Sequence, residues 1–268
     1  MTRTLLSIIF IFLVSSATAG DKIYAVSTIP KTLLEKADAV KRMDHTEFTI
    51  NNTHSTVLTR HYAITILNEN GDGHSSMVVY YDKLTSVSSI KGTLYNAEGV
   101  EIKSLKNKDV RDLSAADDNS LAEDSRVKVH DFNYKVYPYT IEYEVETTQN
   151  NTFIFPSWTP QQGEDFSVEQ SDYTIIFPEN YKLRFKEFNC KGTPQKTIEK
   201  GNIKMKWNVS QVPAIKVPFA VTSWAELATV VYFAPSDFEI GKYKGNMNTW
   251  AGFGEFQNTL NVDRDILP

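Results

Sequence analysis

A single cysteine, Cys190, stands in a chain of 268 residues. That excludes a disulfide scaffold and any multi-cysteine metal centre. Glycine (12) and proline (10) are too few for a collagen-like or low-complexity chain. Basic residues are outnumbered, 28 against 33 acidic, so the formal net charge is −5 and no basic footprint for nucleic acid exists. Only one long apolar run occurs, Leu5 to Val14, interrupted by Ser7. Arg3 precedes it and Ser15-Ser16-Ala17-Thr18-Ala19 follows, ending in a small-x-small cleavage site. Residues 1–19 therefore read as a signal peptide cut between Ala19 and Gly20. The run is too short to cross a bilayer, which takes roughly 20 residues. No cysteine follows it to carry a lipid anchor. The expectation is an exported chain, periplasmic or secreted, with no stable membrane span. Without disulfides, such a chain depends on core burial.

What is abundant is β pattern. His61 to Leu67 is apolar and nearly alternating, Asn70-Gly71 follows, and Ser76 to Tyr81 resumes the pattern. Asn-Gly between two such runs predicts a hairpin, because both residues tolerate positive φ. Ser89–Tyr95, the turn Asn96-Ala97-Glu98-Gly99 and Val100–Ile102 repeat the arrangement. Thr140–Glu146 alternates strictly, with Ile141, Tyr143 and Val145 on one face and three carboxylates toward water. Further strands are predicted at Glu47–Ile50, Arg126–Asp131, Tyr173–Phe177, Lys182–Phe188, Ile203–Trp207 and Thr229–Phe233. Helix signals are confined to Lys31–Lys36 and Asn248–Leu260, where Trp250, Phe253 and Leu260 fall near one face and Trp250 and Phe253 are expected to pack the helix against the sandwich. A parallel α/β fold would need intervening helices of about ten residues, and these are missing. The fold class is all-β: an antiparallel β-sandwich, simple or extended to a two-sheet form, with a short C-terminal helix.

Chemical motifs are sparse. Asn68-x-Asn70-x-Asp72-Gly73 imitates the start of a calcium loop, but Val79 occupies the twelfth position where an acidic ligand belongs. Asp112–Asp124 is acidic and reads as an exposed loop, with metal binding as the alternative. The five histidines, His45, His54, His61, His74 and His130, show no zinc spacing. Cys190 has no base beside it in sequence and reads as a small core residue. No Gly-x-Ser-x-Gly elbow exists, and Gly252-Phe253-Gly254 lacks the third glycine of a dinucleotide loop. No catalytic residue, metal ligand or cofactor is assigned.

Tryptophans offer the remaining lead. Trp207 falls in a predicted strand and belongs to the core. Trp158 lies in a proline-bounded stretch and Trp224 in an irregular one. Loop tryptophans can stack on sugars or anchor a partner, and these two are the candidate ligand-binding residues. Their alternative role is to plug the end of a sandwich. Three glycosylation-type triplets begin at Asn51, Asn150 and Asn208.

Longer patterns carry a resemblance. Asp124-Ser125-Arg126-Val127-Lys128 and Val136 to Glu144 are followed by Ala234-Pro235-Ser236-x-Phe238 and Gly245-x-Met247-x-x-Trp250-x-x-Phe253-Gly254. Over most of residues 35–268 the chain resembles the domain of unknown function 3857, the β-rich module of exported bacterial transglutaminase-like proteins. The resemblance implies an all-β module at 20–240. It also implies a C-terminal helix and linker at 241–268, leading toward a transglutaminase-like domain not present in this chain. Catalysis would belong to that domain, a cysteine-protease-like partner in cis. The function expected is a non-catalytic accessory module that positions or regulates it, or binds a cell-envelope protein, peptide or other ligand. Two alternatives stand beside it: a carbohydrate-binding module using Trp158 and Trp224, and a hydrolase using Cys190 or a carboxylate pair such as Glu142 and Glu144.

Overall fold

A computed structural model describes residues 22–115, 124–262 and 264. The expected signal peptide and most of the acidic stretch after Asp112 lie outside the described residues. After a one-turn helix α1 (Lys31–Leu34) come the long strands β1 (Ala39–Asn52) and β2 (Ser55–Ile66). β3 (Met77–Tyr81), β4 (Thr85–Tyr95), β5 (Glu101–Ser104), β6 (Arg111–Ser114), β7 (Arg126–His130) and β8 (Tyr139–Gln149) follow. Then come β9 (Phe166–Pro178), β10 (Arg184–Phe188), β11 (Gln195–Glu199), β12 (Asn202–Val212) and β13 (Val230–Ala234). The hairpin β14 (Asp237–Ile240) and β15 (Tyr243–Asn246) leads into helix α2 (Trp250–Asn261). The chain is all-β, with several antiparallel sheets and one short C-terminal helix.

The main sheet has the order β11-β12-β9-β1-β2-β8-β4-β5. Its neighbours are antiparallel except β1 and β9, which run parallel. Side chains alternate between faces, so every second residue of β1 from Asp44 to Ile50 points to one side. On that face lie two apolar clusters. The first joins Tyr62, Ile64, Ile141 and Tyr143 to Met77 of β3. The second joins Phe48, Tyr173, Ile175 and Trp207 to Val231 and Phe233 of β13. The small sheets β3-β7-β6 and β10-β13 thus cover the same face of the large one. This is the sandwich. On the opposite face Leu33 of α1 packs with Ile29, Ala37 and Val40 at one end.

The expected hairpin at Asn70-Gly71 does not form. β2 pairs with β1 and β8, and β3 pairs with β7 in another sheet. Asn68 instead caps a 3-10 turn, Glu69–His74, by accepting from the Asn70 amide at 2.9 Å. Gly71 is buried, and a Cβ there would overlap the Asp38 carbonyl oxygen and approach Ile66 Cγ2 to 3.2 Å. This glycine serves close packing rather than a hairpin turn. The second predicted hairpin does form. β4 pairs with β5, and Gly99 takes φ +76 in the turn that Asn96 braces.

α2 starts where Thr249 Oγ1 accepts from the Gly252 amide at 3.0 Å. Its buried contact is Phe256, whose ring lies 4.8 Å from Phe238. Trp250 is 89 % exposed, and this corrects the expectation that it packs on the sandwich. Phe253 is half-buried. The hairpin β14–β15 straddles position 240, and Thr152 binds it through Glu239. No helix among the described residues is long and apolar enough to cross a membrane.

Candidate functional site

The open face of the main sheet carries a row of polar side chains. Register sets it. Asp172 of β9 stands opposite His45 of β1, His45 opposite His61 of β2, His61 opposite Glu144 of β8, and Glu144 opposite Lys91 of β4. Residues directly opposite share a face, so these form one row across five strands. His45 Nδ1–H donates to Asp172, which also pairs with Lys206 at 3.2 Å. His61 Nε2–H donates to Glu142 at 2.8 Å. The hydroxyls of Tyr24 and Tyr95 reach the same carboxylate, each at 2.7 Å. Burial alone would raise the Glu142 carboxyl, but its three donors outweigh that and hold it below the usual carboxylate range. Burial, and then the bond to Glu142, push the Tyr24 and Tyr95 phenols well above theirs. A hollow of about 250 Å³ lies here, lined by His61, Lys91, Gly92, Thr93, Glu142 and Glu144.

This corrects the reading of the β8 carboxylates as simply facing water. Glu142 is an anchor that ties the N-terminal segment, through Tyr24, to the sheet. Glu144 pairs with Lys91 at 3.0 Å. As a pair the two carboxylates sit two residues apart on one strand, not across a cleft as glycosidase chemistry requires.

The tryptophans are anchored separately. Trp158 is only 4 % exposed, lies in the second core cluster, and donates its indole N–H to Ser171 Oγ at 3.0 Å. So little exposure leaves a ligand almost no ring surface to stack on, and this corrects its reading as an exposed loop residue. Trp224 is half-buried and donates to the Gln161 carbonyl at 2.7 Å. Trp207 is core, as expected, with its N–H on Glu187 at 2.6 Å.

Cys190 packs at the edge of the second cluster. Burial and then the Glu187 carboxylate push its thiol up, the opposite of what a nucleophile needs. The histidines are occupied elsewhere. His130 bonds Tyr143, His74 stacks on Phe166, and His54 lies 3.9 Å from Glu239.

The calcium-like turn has its acid in use, since Asp72 accepts from Tyr137 at 2.9 Å and pairs with Lys135. Asp112 falls in β6 rather than a loop, and receives Tyr81, Arg126 and Lys128 across the three-stranded sheet. Asp124 pairs with Lys83. Asp117, Asp118 and Glu123 lie outside the described residues. Among the described residues, no group of three or more His, Cys, Asp or Glu side chains could hold a metal ion.

Sequence reasoning missed the row across the sheet. Strand alternation places His61 and Glu142 on polar faces, but only register makes them neighbours, and they are 81 residues apart.

These features define an all-β sandwich module whose polar side chains are largely committed to holding its layers together. The chain belongs to the family DUF3857, a domain of unknown function with solved structures, whose model matches residues 52–216. No curated protein matches it. Among solved structures it is similar to one described as a "putative protease" from Parabacteroides distasonis ATCC 8503. Identity is 12 % and the TM-score 0.62, over 75 % of this chain and 41 % of that one. An M1 zinc metallopeptidase from Deinococcus radiodurans aligns at 10 % identity and a TM-score of 0.34, over 78 % of this chain and 46 % of that one. The chain therefore spans less than half the length of each, and the first likeness is one of fold.

Proposed function

We propose that this chain is a non-catalytic, exported accessory β-domain that positions or regulates a transglutaminase-like domain of the same polypeptide. The observation that carries the reading is Cys190. It is the one thiol, it is held protonated beside a carboxylate, and no histidine pairs with it among the described residues. Cysteine-based amide chemistry needs a lowered thiol pKa and a base in reach. Family membership and the larger size of the similar solved structure support a modular role.

The partner's contact face in this reading surrounds the start of α2. Trp250 is almost fully exposed beside a hollow of about 450 Å³ lined by Arg184, Met247 and Phe253. Exposed tryptophan with arginine is the composition of interface anchors.

The purified chain is expected to give no amide or glycoside turnover, and the native polypeptide in its source to be heavier than 30.4 kDa. Turnover abolished by Cys190→Ala, or by Glu142→Gln, would overturn the reading.

A further inference from the structure

We propose that His45 and His61 form a two-histidine binding site for a divalent transition ion of the Zn²⁺, Ni²⁺ or Cu²⁺ type, on the open face of the main sheet. The two residues are directly opposite on adjacent antiparallel strands. Such pairs hold their Cβ atoms about 4.5–5.5 Å apart, within the span one ion can bridge. The strand order is β9-β1-β2-β8. Asp172 on β9 is therefore outboard of His45, and Glu142 on β8 is outboard of His61. Each imidazole gives one N–H to its outboard carboxylate, His45 through Nδ1 and His61 through Nε2.

The two nitrogens of an imidazole point away from each other around the ring. That leaves Nε2 of His45 and Nδ1 of His61 on the ring edges away from those carboxylates. Neither has a hydrogen-bond partner among the described residues. In the neutral ring, a proton held by the carboxylate bond also fixes the tautomer and leaves a lone pair on the other nitrogen. Carboxylate-backed imidazole is the usual support of a metal-ligating histidine.

Exposure and charge agree. The side chains of His45 and His61 are 46 % and 38 % exposed, so an ion can enter from solvent. Lys206 and Lys91 offset Asp172 and Glu144, and Glu142, which has no cationic lysine or arginine partner among the described residues, leaves the row with a net negative charge that favours a cation over an anion. Imidazole donors select borderline transition ions over Mg²⁺ or Ca²⁺. The protein supplies two ligands and water completes the shell. This site is independent of the accessory-domain reading.

The test is calorimetric titration of the full, tag-free chain with NiCl₂ and with ZnCl₂ at neutral pH. One equivalent is expected to bind. His45→Ala and His61→Ala should each weaken binding by at least about tenfold, the lower end of what loss of one histidine or its support costs. His54→Ala and Cys190→Ala should leave it unchanged, and MgCl₂ should give no binding heat. Binding should weaken as the pH falls, because a ligating imidazole must be unprotonated. Because both histidines are partly exposed, melting temperatures can show that the variants fold. Absence of binding overturns the proposal. So does binding that survives both histidine substitutions, or that falls equally with His54→Ala.

Discussion

Lys41 and Asp44 form a salt bridge of 2.7 Å between the two apolar clusters, with side chains 0 % and 4 % exposed. Lys41 Nζ also donates to the Pro160 carbonyl at 2.7 Å, and Arg60 grips the same carboxylate at 2.8 and 3.0 Å. Burial pulls the Lys41 ammonium down to about 8. Burial would raise the Asp44 carboxyl, but Lys41 and Arg60 prevail and hold it well below the usual range. A buried ion group of this kind is costly to break and adds little over an apolar replacement. Its geometry locks β1 to β2 and to the segment before β9.

Asymmetry within this group is testable. Asp44→Ala leaves the buried Lys41 and the partly exposed Arg60 without their carboxylate and should cost about 3–5 kcal/mol. Lys41→Met leaves Asp44 bonded to Arg60 and fills the space with apolar volume, so its cost should be smaller. Urea unfolding of both variants checks the order. Equal losses would mean that Arg60 does not compensate.

Glu142 predicts a pH dependence. Its folded carboxyl titrates below the ordinary 4.5 because Tyr95, Tyr24 and His61 donate to it. Its contribution to stability is fully present above pH 4.5 and is lost as pH falls through the lowered folded value. Glu142→Gln should therefore cost about 1–3 kcal/mol at neutral pH, through its unsatisfied donors. The gap between variant and parent should close in acid. Unfolding curves from neutral pH down to about pH 3 would show it. A gap independent of pH would mean that the charge is not what matters.

Gly71 separates the two readings of Asn70-Gly71. With a hairpin, Gly71→Ala would act through φ. In the fold described, φ is ordinary and the added methyl meets the Asp38 backbone and Ile66. The expected loss is about 1–3 kcal/mol from overpacking. Ala at Gly73, which meets nothing within 4 Å, should be near neutral. Thermal melts of the two variants give the comparison.

The two aromatic positions of α2 should behave oppositely. Phe256→Ala removes a ring buried against Phe153 and Phe238 and should cost about 3–5 kcal/mol. Trp250→Ser should change stability by no more than about 0.5 kcal/mol, as at other exposed sites. A large loss at Trp250 would show that it packs within the chain.

Much of the architecture was legible in the sequence. Alternation in Thr140–Glu146 announced β8, and its buried Ile141, Tyr143 and Val145 are the expected set. Asn96 to Gly99 marked a real turn because its side chain and φ requirements are local. The all-β class, the C-terminal helix and the core position of Trp207 followed from periodicity, which any strand or helix must show to bury one face. Asn70-Gly71 misled because the same dipeptide suits a capped turn, and the partner of β2 lies far along the chain. Burial of Trp158 and exposure of Trp250 could not be read locally, since each depends on which sheet covers it. Local residue pattern set the period of each element and the side chains available to it. Strand order and register came from the packed fold, and together they set Asp172, His45, His61 and Glu142 side by side. Pairing across a sheet is a long-range choice, fixed by the burial of whole faces and not by any short motif.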